Sequence, residues 1–404
     1  MGTNSSRATG FNLVMINAFV YISSSVYGPF LGPFYSSRGI SPIQIGILLT
    51  IGSVASILIQ PLWAMLSDRT GRRKSILSLV VLGSGFTMFS YYLGNTFTTF
   101  FIATVLVSVF TTSIVPLSDA IIIRVAGKIN FEFAIIRMGG TIGFAIFVVL
   151  AGSLLKLKPN SLFSMGFIGY MLLLIFVLQL PAENKIPIKD NRGSEFQRHH
   201  GGRINALWNI FETNMVFFIL AFALLSQIGL SFYWSFLGVY VVDLGYGQDT
   251  VGWLNCASAL SELPALIFIN RLIKKFGSMK ILFVSCIILS LRIFLVTRGS
   301  LPFILLAQIL QGISYMTVYF SCAVYINDHV KPGKQSQGQS TLAIMQMGVG
   351  SVIGNVAGGY LVDALGIEKA YTLMSVVILI TTLMIITIQA IYRRNEPAHT
   401  GRLR

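Results

Sequence analysis

Long apolar runs separated by short polar or cationic stretches recur along the whole chain, each about 18 to 25 residues, enough to cross ~30 Å of hydrocarbon as helix. Twelve spans are read: 11–36, 41–67, 75–94, 97–123, 131–155, 161–180, 214–241, 249–273, 279–297, 300–327, 337–362 and 369–392. Six lie on each side of a polar segment, Pro181 to Glu212. The pattern predicts an all-α membrane protein with a six-helix bundle over 1–180, a linker over 181–212, a second six-helix bundle over 213–392 and a tail over 393–404.

The two halves also share positions. Gly39 to Lys74 reappears without a gap as Gly245 to Lys280. Gly39 pairs with Gly245, Ile45 with Val251, Gly46 with Gly252, Leu48 with Leu254, Gly71 with Gly277 and Lys74 with Lys280, all at an offset of about 206 residues. A duplicated membrane unit around a central site is the architecture of a carrier.

Composition agrees. Hydrophobic residues make up 54% and charged ones 11%, with a mean hydropathy of +0.76; a water-soluble domain carries about twice that charge. The net charge of +15 does not mark a nucleic-acid surface, because no segment is long enough to fold as a soluble basic domain. Its placement speaks to topology instead. Arg7, Arg69, Arg72, Arg73, Lys74, Arg124, Lys128, Arg271, Lys274, Lys275, Lys280, Lys331, Lys334, Arg393, Arg394, Arg402, Arg404 and the linker cations fall on one side. Arg38, Lys156, Lys158, Arg298 and Lys369 fall on the other. The positive-inside rule then puts both termini in the cytoplasm.

The first run is too long for a cleavable signal and is followed by Pro29 and Pro33. Cys256, Cys286 and Cys322 lie inside spans and read as small apolar packers, so neither disulfide nor metal is expected. His199 and His200 read as linker residues. No Gly-x-Ser-x-Gly elbow, nucleotide loop or zinc-type His pair is present, and the chain reads as neither an enzyme nor a cofactor protein.

The most specific local motif is Asp68-Arg69-Thr70-Gly71-Arg72-Arg73-Lys74, between spans 2 and 3. A glycine permits the reversal between helices, the cations hold an anionic membrane face, and the aspartate can pair with cations or a helix amino terminus. Here the chain resembles the major facilitator superfamily, whose loop Gly-x-x-x-Asp-Arg-x-Gly-Arg-Arg latches the cytoplasmic ends of the halves. The resemblance implies a cytoplasmic gate formed by Asp68, Arg69, Gly71, Arg72 and Arg73. The leading glycine is Ala64 here, and in the second copy Gly277 remains while Lys274 and Ser278 replace the acid and the following arginine.

Tyr27-Gly28-Pro29-Phe30, Pro116-Leu117-Ser118-Asp119-Ala120, Ile136 to Phe144, Ser261-Glu262-Leu263-Pro264 and Gln308 to Gly312 are similar to the branch containing phenylpropionate permeases, nucleoside proton symporters and relatives of lactose permease. The resemblance implies the major facilitator fold, in which spans 5 and 11 cross between the halves; Gly139, Gly140 and Gly143 on span 5 and Gly348, Gly350, Gly354, Gly358 and Gly359 on span 11 are then candidate sliding contacts, with ordinary tight packing as the alternative. Gln311 stands where the phenylpropionate group often has histidine.

Four charges lie well inside spans: Asp119, Arg137, Glu262 and Arg292. A charge at the bilayer centre costs about 2.5 to 3.5 kcal/mol, so these groups should face a cavity or each other. At 1.5 Å per residue, Asp119 and Arg137 sit roughly 12 and 9 Å from the same ends of spans 4 and 5, and Glu262 and Arg292 roughly 15 and 10 Å from the same ends of spans 8 and 9. Both couples are therefore candidate ion pairs. Relatives of lactose permease use acid and arginine on these helices for solute and proton, which implies Glu262, Arg292 and Asp119 in proton coupling and Arg137 in solute binding. Ser56 holds the repeat position of Glu262, so that carboxylate belongs to one half only. Asp328 and His329 read as boundary residues.

Asn17 and Tyr21, with Tyr27, on span 1, Gln227, Tyr233 and Trp234 on span 7, and Gln308, Gln311, Tyr315 and Tyr319 on span 10 complete the candidate solute site. Amides and hydroxyls orient a polar solute and aromatic faces hold a ring. The expectation is a secondary active transporter, a proton-coupled symporter of an aromatic acid, sugar or nucleoside, functional as a monomer in the cell membrane. Its partners are the solute, H+ and the lipid bilayer, with no nucleic acid. A non-transporting solute sensor and a proton-driven exporter are the alternatives.

Overall fold

The computed structural model describes residues 3–180, 210–211, 213–331 and 334–395. Most of the linker, with Lys185, Lys189, Arg192, Arg198, His199, His200 and Arg203, and the tail from residue 396 lie outside the described residues. Among the described residues, twelve helical spans are long and apolar enough to cross a membrane: Arg7–Ser37, Pro42–Thr70, Arg73–Tyr92, Phe97–Ile129, Ile135–Leu157, Pro159–Leu178, Val216–Asp243, Gln248–Ile269, Ser278–Val296, Leu301–Asp328, Gln337–Leu365 and Ile367–Tyr392. They follow the hydropathy pattern span for span.

Local chemistry sets the boundaries. Span 2 starts at a capping box in which Ser41 and Gln44 satisfy each other's backbone amides, with Pro42 in the first turn. Thr96 and Thr99 do the same for span 4. Gly39, Gly71, Gly245 and Gly277 all take positive φ, at 74°, 63°, 87° and 78°, a range that favours glycine because it has no Cβ. All four are repeat-paired, so the duplication shows in the sign of φ as well as in the sequence, although ψ is 9° at Gly71 and 152° at Gly277.

Several spans depart from a plain α-helix. Span 8 carries Pro264 within the helix Gln248–Phe276. Spans 10 and 11 each contain a wide π turn, Gly312–Met316 and Ile344–Gly350.

The chain forms two compact units that divide spans 7, 8 and 11 between them. The first gathers spans 1 to 6 with Phe232–Ser261 and Asn355–Ile367. The second holds span 7 up to Ser231, Glu262–Gly354 and the described residues from Glu368 onward.

In the first unit span 1 lies against span 5 through small residues. A Cβ on Gly139 would stand 2.7 Å from Val14, one on Gly140 2.4 Å from the Asn17 Oδ1, and one on Gly143 3.0 Å from Ile22. These glycines therefore serve packing between spans 1 and 5, and the expectation that they mark a crossing between the halves is corrected. The crossing falls nearer the span ends. A Cβ on Gly46 would run into the Asn355 carbonyl, and one on Gly359 would stand 2.6 Å from the Pro42 carbonyl, one on Gly252 2.7 Å from that of Val148 and one on Gly152 2.5 Å from that of Gln248. Backbones this close gain from van der Waals packing, which replaces the hydrophobic drive that lipid does not supply. Lys156 Nζ and Asp249 Oδ2 form an ion pair of 2.8 Å beside this contact.

The second unit is packed around Ile219, Phe222, Leu282, Cys286, Val318, Cys322 and Ile326. Cys286 and Cys322 are fully buried there, in the packing role expected of them. Four of the five span 11 glycines named as candidate sliding contacts differ from Gly359 in direction. Gly350, Gly354 and Gly358 face Gln227, Ile228 and Phe232 of span 7, and Gly348 is buried in the wide turn.

Candidate functional site

The first unit brings together Asn17, Tyr21 and Arg137. Gly140 lets span 1 come close enough to seat Asn17 and Tyr21 against span 5, and the Arg137 guanidinium lies over the Tyr21 ring at 4.1 Å from its centroid. A cation over an aromatic face is held by the ring quadrupole, which leaves its N–H edges available. Asn17 is fully buried, and both polar atoms of its amide lack a protein hydrogen-bond partner. Asp119 Oδ1 and Arg137 Nη1 are buried and unpartnered in the same way.

The expected ion pair between Asp119 and Arg137 is not formed: among the described residues neither belongs to an ion pair. Matching depth along two helices does not fix which way each side chain turns, and the Tyr21 face takes the guanidinium instead. Burying polar atoms without protein partners costs on the order of 1 to 3 kcal/mol each, so these atoms make a polar patch within an apolar bundle. Tyr233 is fully buried and Trp234 39% exposed in this unit.

Tyr27 joins another polar group. Its hydroxyl meets that of Tyr170 at 3.0 Å, while Tyr35, Tyr91 and Thr104 share hydroxyl hydrogen bonds of 3.0 to 3.3 Å. These are mutually satisfied and read as structure.

In the second unit Arg292 has no exposed surface. Its Nε donates to the Ala307 carbonyl at 2.8 Å, Nη2 to Gln308 Oε1 at 3.1 Å and Nη1 to Ser314 Oγ at 3.3 Å. Gln311 Nε2 donates to Glu262 Oε1 at 3.3 Å, and Gln311 itself is buried. The carboxylate, the guanidinium and three side chains of span 10 thus meet around one wide turn. Tyr315 and Tyr319 stack loosely, with ring centroids 6.3 Å apart, and Tyr319 is 44% exposed. Gln227 is tied up: its Nε2 donates to Ser231 Oγ and Ser351 Oγ at 3.0 and 3.1 Å, which links spans 7 and 11. Ser314, Ser231 and Ser351 were not among the expected site residues, since a serine in an apolar run gives no signal until its partner is known.

At the loop after span 2, Arg73 Nη2 pairs with Asp68 Oδ1 at 2.9 Å. Arg69 lies in the last turn of span 2 and Arg72 precedes span 3. Gly71 supplies the left-handed turn between them. Lys74, expected only as a topological charge, donates from Nζ to the carbonyls of Leu178 and Leu180, at 2.8 and 2.5 Å. It caps the end of span 6, where helix carbonyls lack partners and favour a cation. Asp68, Arg73 and Ala64, with Pro116 and Leu117 of span 4, line a cavity of about 300 Å³.

Comparison with known proteins agrees with this architecture. The model of the family described as MFS_1 like matches residues 12–373. The chain is 25% identical over 367 residues to the uncharacterized transporter YwbF of Bacillus subtilis (strain 168), covering 89% of this chain and 88% of that one. It is 24% identical over 358 residues to the maltose permease of Geobacillus stearothermophilus, covering 86% of each. The crystal structure of the nucleoside transporter NupG (D323A mutant) superposes with a TM-score of 0.79 at 18% identity, over 93% of this chain and 99% of that one, and so shares the fold. With twelve apolar spans, a duplicated half and a family match over most of its length, the chain belongs to the MFS_1 like family and is a major facilitator transporter of small solutes.

Proposed function

We propose that this carrier is a proton-coupled symporter of a neutral, polyhydroxylated solute, a sugar or a nucleoside, working by alternating access as a monomer in the cell membrane with both termini in the cytoplasm. The observation that carries the reading is the set of buried polar atoms on Asn17, Asp119 and Arg137 that find no partner in the protein. One acid and one base that do not pair offer acceptors and donors with no net charge. That suits vicinal hydroxyls, with the Tyr21 face beside them for a ring. The maltose permease and nucleoside transporter named above fall in the same solute class. An aromatic acid is the second reading: it would place its carboxylate on Arg137, and it requires Asp119 to be protonated.

Glu262 is the proposed proton acceptor. It is half-buried in a span, hydrogen-bonded by Gln311, and has no repeat counterpart. Arg292 is bound to span 10 and does not take part in solute binding in this reading; its assistance to Glu262 is positional. Trp234, Tyr315 and Tyr319 shape the path, the buried Gln227, Tyr233 and Gln308 support it from behind, and Asp68 to Arg73 form the cytoplasmic gate.

The test is uptake of labelled maltose, uridine and phenylpropionate into proteoliposomes, with and without an imposed pH gradient. Accumulation of one of the first two that depends on the gradient is expected. Glu262→Gln should abolish uphill uptake and spare solute exchange. Full accumulation by that variant removes Glu262 from coupling; binding without movement makes the protein a sensor; solute-driven movement only against inward protons makes it an exporter.

A further inference from the structure

Span 10 is interrupted where Arg292 meets it. Its first α segment, Leu301–Ile309, stops at Leu310; the wide turn Gly312–Met316 follows, and Thr317–Asp328 resumes as α-helix. A wide turn of this kind takes up one extra residue between α segments and recurs at functional sites. The Arg292 guanidinium bridges the interruption. Ala307 O and Gln308 Oε1 lie before it and Ser314 Oγ lies within it. Ser314 also donates to the Gln311 carbonyl at 3.4 Å, and Gln311 is the residue that holds Glu262.

Arginine suits this work because its planar fork fixes three acceptors in one geometry and stays charged when buried. Burial without exposed surface makes the arrangement exacting, since every N–H must find an acceptor. The wide turn of span 11 differs: its neighbour is the neutral Gln227, which lies against Gly350 and donates to Ser351 Oγ.

We propose that Arg292 is a positioning residue that pins span 10 in its wide-turn register, and that its release closes the turn to α and rotates the following helix. One residue of α-helix is about 100°, so release would swing Tyr319 and everything after it by roughly that angle about the span axis. Because Gln311 sits at the pinned turn, the contact of Glu262 and the facing of the aromatic pair change together. The inference rests on the chain being a carrier and extends the coupling reading, but it needs Arg292 to hold a register and not Glu262 to carry a proton.

The test is a nitroxide scan over residues 317–326 in a background with Cys256, Cys286 and Cys322 replaced by alanine, reconstituted in liposomes, with collision accessibility to oxygen read at each site. The periodic accessibility gives the rotational phase of the helix. Arg292→Lys, which keeps charge and loses the fork, should turn that phase by about 100°. Deleting Ile313 in the same variant removes the extra residue and should return the phase to that of the wild type; Ile313 is 45% exposed, so its loss leaves the core intact. A wild-type phase in Arg292→Lys, or a phase that the deletion does not restore, overturns the proposal. If Arg292→Lys fails to fold, Gln308→Ala with Ser314→Ala, which removes the acceptors on either side of the turn, must give the same rotation and the same rescue, or the proposal falls. The phase is read without solute or pH gradient, so its outcome is separate from that of the uptake assay.

Discussion

The two clusters of charge inside this membrane protein are built in opposite ways. Around Arg137, Asn17 and Asp119 keep buried atoms without protein partners, and the guanidinium rests on a ring. Around Arg292 every nitrogen of the guanidinium donates to a neighbour on span 10. Gln311 Oε1 is the exception, a buried acceptor without a partner. A group committed to its own fold cannot also bind a passing solute, whereas one left unsatisfied can bind a solute at little competitive cost. Like residue types inside the spans are thus held in different ways.

That contrast breaks if the two arginines respond alike to removal. Arg292→Ala strands buried acceptors and should cost about 3 kcal/mol of stability, seen as a marked fall in the denaturation midpoint of purified protein. Arg137→Ala should change stability by less than about 1 kcal/mol and lower solute affinity by about 10- to 100-fold, as expected for a lost charged hydrogen bond. Comparable destabilisation by both would erase the distinction.

Gly140→Ala sharpens the first cluster from behind. The added methyl would stand 2.4 Å from the Asn17 Oδ1 and 2.6 Å from the Tyr21 ring. Overpacking of this sort costs about 1 to 3 kcal/mol, and the displacement of Asn17 should weaken solute binding more than the same change at Gly139, which meets only Val14. Titration of the two variants with one solute decides it. The smallest effect is expected at the Lys156–Asp249 pair, whose lysine is 61% exposed. Asp249→Asn should alter stability by under about 1 kcal/mol, and a larger loss would make this pair part of the core machinery.

The spans and their number were legible because an apolar run of membrane length leaves few alternatives. So were the duplication and the loop motif, since glycines at repeat positions and a fixed charge order survive in one dimension. What could not be read is rotation about each helix axis. Spans such as 6 and 7 are apolar on all sides, so nothing in their pattern says which face meets which neighbour. This is why Asp119 and Arg137 looked like an ion pair and do not form one, why the glycines Gly139, Gly140 and Gly143 turned out to serve span 1, and why Gln227 proved to be a tie between spans 7 and 11. The partners of Arg292 lay on a neighbouring span at a wide turn that no propensity announces.

The four repeat-paired glycines with positive φ, Gly39, Gly71, Gly245 and Gly277, have an evolutionary consequence. After an ancestral gene doubled, each copy could exchange its side chains freely, as Glu262 against Ser56 illustrates, but no substitution offers a cheap replacement for a hinge that only glycine can make. Ancestry is thus preserved in the joints, and chemical novelty accumulated between them.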